Sequence, residues 1–509
     1  MQDNEIESLS GLLHDDQAVL FVHTAEAARQ IVATSVRPVA ILIATSPHAY
    51  FVFDNHDIPY QSVEKYGLDK AVALSAIRRE LKPSRIGFFD DHLFNPQQNQ
   101  FVQLLRSQRD DRIVAFPGVT VVASPIKQSW LRTWTRKRAR LYYLFETMRT
   151  RGIVSAFYLF LYQLRTKPVL LLGSGYNWNY CHIALYQKGY SIWGQVNVDL
   201  DGDQTAEEAL MILNKKKFKA VLFSVNASAA SKAFAVAARE RGIPVIGWQH
   251  GDLNYIPAEQ VARDDLENAD LFLNWGVGSQ ENLVAAGKRC GLERQQQAVG
   301  SSYLDHLRIG IVPHSTVTVA PTIVYATTMY YLSGQIAISD VPWSDFRTYQ
   351  AQRVIIKHLA DLPGKKIVKC HPSVRYHVPG LFDYCRSFAP RGLEEVHSPV
   401  VRATDLFKKA DLIIIDVPST TLVEAAMFDT PIFCLLGQVK LSDKAVNLLK
   451  KRAMVSDDPE ILMDAVENYL ETGEYLADSK NNEFVEAYGT QSGFMASGRA
   501  AEEVHKFIS

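Results

Sequence analysis

An alternation of short β-branched runs with segments of helical spacing, almost unbroken from Pro168 onward, constrains this chain more than any other feature. Such alternation reads as βαβ units, and βαβ units build parallel sheets covered by helices. The pattern predicts one series of strands at 169–172, 191–198, 220–223, 244–248 and 271–275. A second series is expected at 322–326, 366–369, 412–415 and 431–435. Between them, 308–321 carries Pro313 and Pro321 and is the expected linker. Further candidate strands at 19–22, 39–44, 50–53 and 85–88 suggest a smaller α/β region ahead of both series.

At 509 residues the chain exceeds what one hydrophobic core organises. The expected division is an N-terminal α/β accessory region at 1–125, a helical connector at 126–167, Rossmann-like domains at 168–312 and 313–480, and a C-terminal helix within 481–509 that packs back across the domains. A net charge of −1 gives no field that would draw nucleic acid. The five cysteines include no C-x-x-C pair, so neither a zinc knuckle nor a disulfide framework is expected. Residues 1–16 are polar and acidic where an export signal needs a basic start and an apolar run. With no apolar stretch of membrane-spanning length, the expected location is the cytoplasm. The connector is unusual: it holds ten Lys/Arg against the single acid Glu146, interleaved with aromatics such as Trp130, Trp134 and Tyr142. It reads either as an amphipathic element on an anionic membrane surface or as ordinary structure with solvated arginines.

In open parallel sheets, ligands bind beyond the carboxyl ends of the strands, so the residues that follow each strand carry the chemistry. Gln249-His250-Gly251-Asp252 follows the strand at 244–248. His250 there can take a proton near neutral pH, and His250 and Asp252 are the candidate catalytic residues. Lys369-Cys370-His371-Pro372 ends another strand, where His371 and Lys369 can hold a phosphate. Asp416-Val417-Pro418-Ser419-Thr420-Thr421 runs into a helix containing Glu424. Ser419 and Thr420 fit a phosphate or a plain helix cap, and Glu424 a ribose diol or a surface carboxylate. Thr327 ends the first strand of the second series and is a further phosphate candidate. Gly173, Ser174 and Asn177 follow the strand at 169–172; Trp178 stands where a dinucleotide fingerprint needs its third glycine, so they are assigned to an acceptor pocket instead. Asp199, Asp201 and Asp203 fail the calcium-loop pattern at Gln204 and Leu210, so no metal is expected and Asp201 is a reserve base.

With these residues in place, the chain from about Pro168 resembles bacterial surface-carbohydrate transferases of GT-B architecture, the group of CDP-glycerol glycerophosphotransferases and bacterial sialyl- and Kdo-transferases. The resemblance lies in Ile243-Pro244-Val245-Ile246-Gly247-Trp248-Gln249-His250-Gly251, then Ala269-Asp270, Trp275-Gly276, Val299-Gly300-Ser301-Ser302-Tyr303-Leu304-Asp305, His371-Pro372, and Ser419-Thr420 with Glu424-Ala425. It implies an α/β, GT-B-like fold: an acceptor-side domain at 168–312 faces a donor nucleotide-binding domain at 313–480 across a cleft. It further implies transfer from a nucleotide-activated donor, with a CMP-sugar favoured and UDP-sugars and CDP-polyols open, to a surface-polysaccharide or lipid-linked glycan acceptor; the layout with a single base adds the expectation of a metal-independent, inverting course. The histidine in place of an acidic D/E-D/E-G motif moves the base to His250 and weakens a specific link to sialic acid. A nucleotide-sugar 2-epimerase and a non-catalytic glycan-binding subunit are the competing expectations.

Overall fold

The computed structural model describes residues 13–14, 16, 18–22, 25–33, 38, 40–44, 46–66, 76–77, 79–81, 85–90, 113–117, 166–172, 177–196, 211–214, 217–224, 229–251, 259–309, 320–328, 330, 344–371, 379–397, 401–437, 439–491, 493 and 495–509. Within them lie three parallel sheets. The first contains β1 (Ala18–Val22), β2 (Ile41–Ala44), β3 (Gln61–Ser62), β4 (Arg85–Asp90) and β5 (Ile113–Pro117), in the order β3-β2-β1-β4-β5. The second contains β6 (Lys167–Leu172), β7 (Tyr190–Val196), β8 (Val221–Phe223), β9 (Val245–Trp248), β10 (Leu271–Asn274) and β11 (Gln295–Ala298), in the order β11-β10-β9-β8-β6-β7. The third contains β12 (Thr322–Ala326), β13 (Lys365–Lys369), β14 (Leu393–Val396), β15 (Leu412–Ile415), β16 (Ile432–Leu435) and β17 (Met454–Ser456), in the order β14-β13-β12-β15-β16-β17. Each sheet is doubly wound: the order reverses beside its first strand, leaving a crevice at the carboxyl ends there. The α/β, GT-B-like expectation therefore holds for the second and third sheets.

Continuous apolar strands follow from burial on both faces. Every residue of β15, Leu-Ile-Ile-Ile, is buried, as is all of β9 and β10. The two larger sheets share one core, in which Trp248, Trp275 and Leu304 meet Leu422, Val423 and Tyr488. A second core joins the first sheet to the third, so the N-terminal unit rests on the half that carries His371 and Ser419. Its anchor is the helix Pro47–Asn55: the Phe51 ring lies 4.6 Å, edge-on, from that of Tyr349, and Asp54 pairs with Arg353. Close packing removes any room for a side chain at Gly380, where a Cβ would sit 2.2 Å from that of Phe51.

That helix corrects the strand expected at 50–53. Residues Pro47 to Phe53 are all buried, so no polar face reveals helical periodicity and the run imitates a strand. The start signal was present nonetheless, in Ser46 followed by Pro47 at the first helical position. The connector up to residue 165 and the linker at 310–319 lie outside the described residues.

The chain ends by returning to the second sheet. The helix Ala496–Ile508 packs on the helix Trp178–Gln187, with Cys181 donating to the Ser497 carbonyl and Lys188 paired with Glu502. Asp305 fixes the crossing: one carboxylate oxygen accepts from Thr490 Oγ1 and the other, at 2.8 Å, from the Ala496 N–H. Asp305→Ala should therefore cost about 1–3 kcal/mol, the penalty for buried donors left without an acceptor. Urea denaturation gives the size of the loss, and limited proteolysis should show the C-terminal helix becoming the first site of cleavage.

Candidate functional site

On the second sheet, β9 delivers the histidine. Trp248 and Gln249 are buried, and the next residue, His250, is the first to reach solvent. Gln249 sets that turn: its Oε1 accepts from the Trp275 N–H at 2.8 Å, and its Nε2 donates to the Gly251 carbonyl. Its own carbonyl accepts from Asn177 Nδ2 at 2.7 Å. His250 touches solvent, yet the protein around it desolvates the imidazole enough to lower its pKa below the usual 6.5.

The third sheet answers from across the gap. Ser419 is the N-cap of the helix Thr420–Ala426, its hydroxyl accepting from the Thr421 N–H. Thr420 then meets the β9 turn directly: a Cβ on Gly251 would stand 2.5 Å from Thr420 Oγ1. The backbone at Gly251 needs no left-handed conformation. What it supplies is close approach between two strand ends. Thus His250, Gly251, Ser419 and Thr420, drawn from the two strand series, lie together.

Other nominated residues are placed differently. Glu424 is 8% exposed, and its Oε1 accepts from the Tyr303 hydroxyl at 2.9 Å, a bond from one half to the other. Asn177 is fully buried, and its amide serves Gln249, Ser301 and Tyr303. It acts in place as a hub between strand ends. Lys369 is buried too, with Nζ donating to the Cys370 carbonyl at 2.9 Å; burial lowers its pKa. Thr327 donates its N–H to the Lys369 carbonyl, while its buried hydroxyl has no partner among the described residues. His371 is half-buried just beyond β13. Asp252, Gly173, Ser174, Asp199, Asp201 and Asp203 lie outside the described residues, which hold no group of three or more His, Cys, Asp or Glu placed for a metal ion.

One element has no assigned role in the sequence reading. Asp416, at the end of β15 and 2% exposed, accepts from Tyr325 Oη at 2.9 Å, Gln352 Nε2 at 2.7 Å and the Thr328 N–H at 2.7 Å. Burial outweighs these bonds and raises its pKa to about 6. A carboxylate set directly on an all-apolar strand was the available signal. It also lines a pocket of about 260 Å³ with Arg347, Thr348, Leu435, Val439 and Asp457. That volume is below the ~300–1,000 Å³ of ordinary small-molecule sites.

No protein-family profile matches the sequence, and no curated protein is significantly similar to it. Among solved structures, the chain is similar to UDP-GlcNAc 2-epimerase from Methanocaldococcus jannaschii in complex with UDP-GlcNAc and UDP, at 15% identity over 67% of this chain and 100% of that one, with a TM-score of 0.47. It is similar to the S. aureus MnaA–UDP structure at 14% identity over 67% and 97%, with a TM-score of 0.46. MurG from Acinetobacter baumannii follows at 12% identity over 67% and 99%, with a TM-score of 0.38. The fold assignment rests on the strand orders given above, not on these superpositions.

The Gly251–Thr420 approach can be tested by a double-mutant cycle. Gly251→Ala should destabilise by about 1–3 kcal/mol, the usual cost of overpacking. Thr420→Ala removes the clashing oxygen and should recover much of that loss in the double variant. Strictly additive melting shifts would show that the two residues do not touch.

Proposed function

We propose that this chain transfers a sugar from a nucleotide-activated donor to a hydroxyl acceptor bound between the second and third sheets. The observation that carries this reading is the close approach of Gly251 to Thr420: it brings the strand end that bears His250, a proton acceptor, against the hydroxyl pair Ser419–Thr420. In the proposed reaction His250 removes the acceptor hydroxyl proton, the oxygen attacks the anomeric carbon, and the bond to the donor phosphate breaks. Ser419, Thr420, His371 and Thr327 receive the departing phosphate, whose stabilisation supplies much of the rate. Glu424 binds the ribose by exchanging its Tyr303 bond for a diol. A CMP-sugar donor, an inverting course without a metal, and a glycan or lipid-linked acceptor complete the proposal. The basic segment 126–167 would hold the enzyme at the inner face of the membrane.

Desolvation keeps His250 neutral at pH 7, as a base must be. The acid limb of kcat/KM should accordingly fall below 6.5, the ordinary imidazole value. His250→Ala should lower turnover by about 10²–10⁴-fold, the typical worth of a general base, with little change in nucleotide affinity. Ser419→Ala and His371→Ala should do the reverse and weaken nucleotide binding first. The deciding measurement is a thermal-shift screen with CMP, CDP, UDP, GDP and NAD, followed by donor turnover with and without a glycan acceptor. Turnover that needs the acceptor supports transfer. Isomerisation of the donor sugar with no acceptor present would make the protein an epimerase. If none of the nucleotides shifts the melt at millimolar concentration, the phosphate-site reading falls.

A further inference from the structure

The network around Asp416 extends in both directions from the carboxylate. Toward the cleft, its Oδ1 accepts from the Thr328 N–H, one residue beyond Thr327, and its own backbone opens the Asp416–Ser419 turn ahead of Thr420. One carboxylate therefore ties the exits of β12 and β15, the two strands that flank the crevice of the third sheet. Away from the cleft, its Oδ2 accepts from Tyr325 and from Gln352 on the helix Asp345–Asp361. Gln352 in turn accepts from the Tyr330 hydroxyl. The Tyr330 ring lies edge-on to Phe51, 6.4 Å between centroids, and Phe51 belongs to the first sheet's helix Pro47–Asn55. Tyr325, Tyr330 and Gln352 are all buried, so these bonds form in a low dielectric where an unmet donor is costly.

We propose that Asp416 is the positioning residue of the donor side, holding the turns after β12 and β15 at a fixed spacing, and that the N-terminal α/β unit braces this spacing through Phe51 and Tyr330. The N-terminal unit then has a defined task, as a support for the phosphate-side turns from the face opposite the cleft. The proposal rests on the transfer reading only for what those turns bind; the mechanical role stands apart from it.

Two measurements separate these layers. The first needs no ligand: amide hydrogen exchange of the full chain, read at Thr328 and across residues 416–421. Asp416→Asn keeps the shape but cannot accept from all its donors, and Tyr330→Phe removes only the hydroxyl that reaches Gln352. Both should speed exchange at these amides on the order of tenfold, the factor one net hydrogen bond is worth. Phe51→Leu, remote from the turns, should produce a smaller rise at the same amides. Unchanged exchange in Asp416→Asn and Tyr330→Phe overturns the positioning role, and unchanged exchange in Phe51→Leu alone overturns the bracing.

The second is nucleotide affinity between pH 5 and 8, using whichever of CMP, CDP or UDP stabilises the wild type. Protonation turns one Asp416 oxygen into a donor, so wild-type affinity should drop as pH falls through about 6. Asp416→Asn should bind several-fold more weakly and lose that pH step. The groups facing the carboxylate are Tyr325 and Tyr330 from the β12 side, Gln352 on the helix and Cys434 on β16, with Arg347 and Asp457 in the adjoining pocket. The tyrosines and Cys434 are pushed to high pKa by burial and do not titrate in this window. A step that persists in Asp416→Asn assigns it to another group and overturns the binding arm. If no nucleotide binds the wild type, the transfer reading fails while the exchange result still decides the positioning role.

Discussion

A backbone and a hydroxyl group approach so closely at Gly251 and Thr420 that one added carbon would not fit, and the rest of the site is arranged around that approach. It requires the carboxyl end of β9 to meet the helix that follows β15, so two separately wound sheets must be held at one distance. Three kinds of tie hold them. Tyr303 donates to Glu424 across the gap, a shared hydrophobic core runs from Trp248 to Leu422, and the C-terminal helix returns to pack on the helix Trp178–Gln187. Together they oppose the entropy of two domains moving independently, which is otherwise the expected behaviour of an interface inside one chain.

Buried polar hubs govern the local geometry. Asn177 joins the β9 turn to Ser301 and Tyr303, Asp305 receives the returning C-terminal segment, and Asp416 gathers the exits of β12 and β15. Each is a side chain with several hydrogen-bonding positions: Asn177 and Asp416 follow strands, where backbone can no longer bond within the ladder, and Asp305, on the helix Ser302–Ile309, receives the first N–H of the C-terminal helix. In a low dielectric these bonds are strong and their absence is costly, so the turns they hold have few alternatives. Such turns present His250, Ser419 and Thr420 to the cleft from rigid supports. The same physics explains why Asn177 and Lys369, attractive as ligand contacts by position, are instead occupied by the protein itself.

Strands at the centre of the two larger sheets were legible in the sequence because burial on both faces demands unbroken apolar runs. β6, β8, β9, β10, β12, β13, β15 and β16 all lie where the alternation of β-branched runs puts them, as does β7 at one edge. The strands that escaped notice there are edges: β11 reads Gln-Gln-Gln-Ala, β14 Leu-Glu-Glu-Val and β17 Met-Val-Ser. An edge strand pairs on one side only and tolerates polar residues, so composition cannot mark it. β3, Gln-Ser, stands at one edge of the first sheet and is hidden in the same way, whereas β5 at the other edge is the apolar run Ile-Val-Ala-Phe-Pro and is not concealed by polar composition.

The sequence by itself determined the fold class, the central strands and the residues at their ends, because strand burial and strand-end chemistry are written in local patterns. Only the tertiary structure decided which of those ends face one another, that Glu424 meets Tyr303, and that the first sheet stands on the third. It also decided that Asp416 is buried under three donors rather than exposed as an ordinary turn residue. Those outcomes depend on residues 64 to 299 positions apart meeting in space.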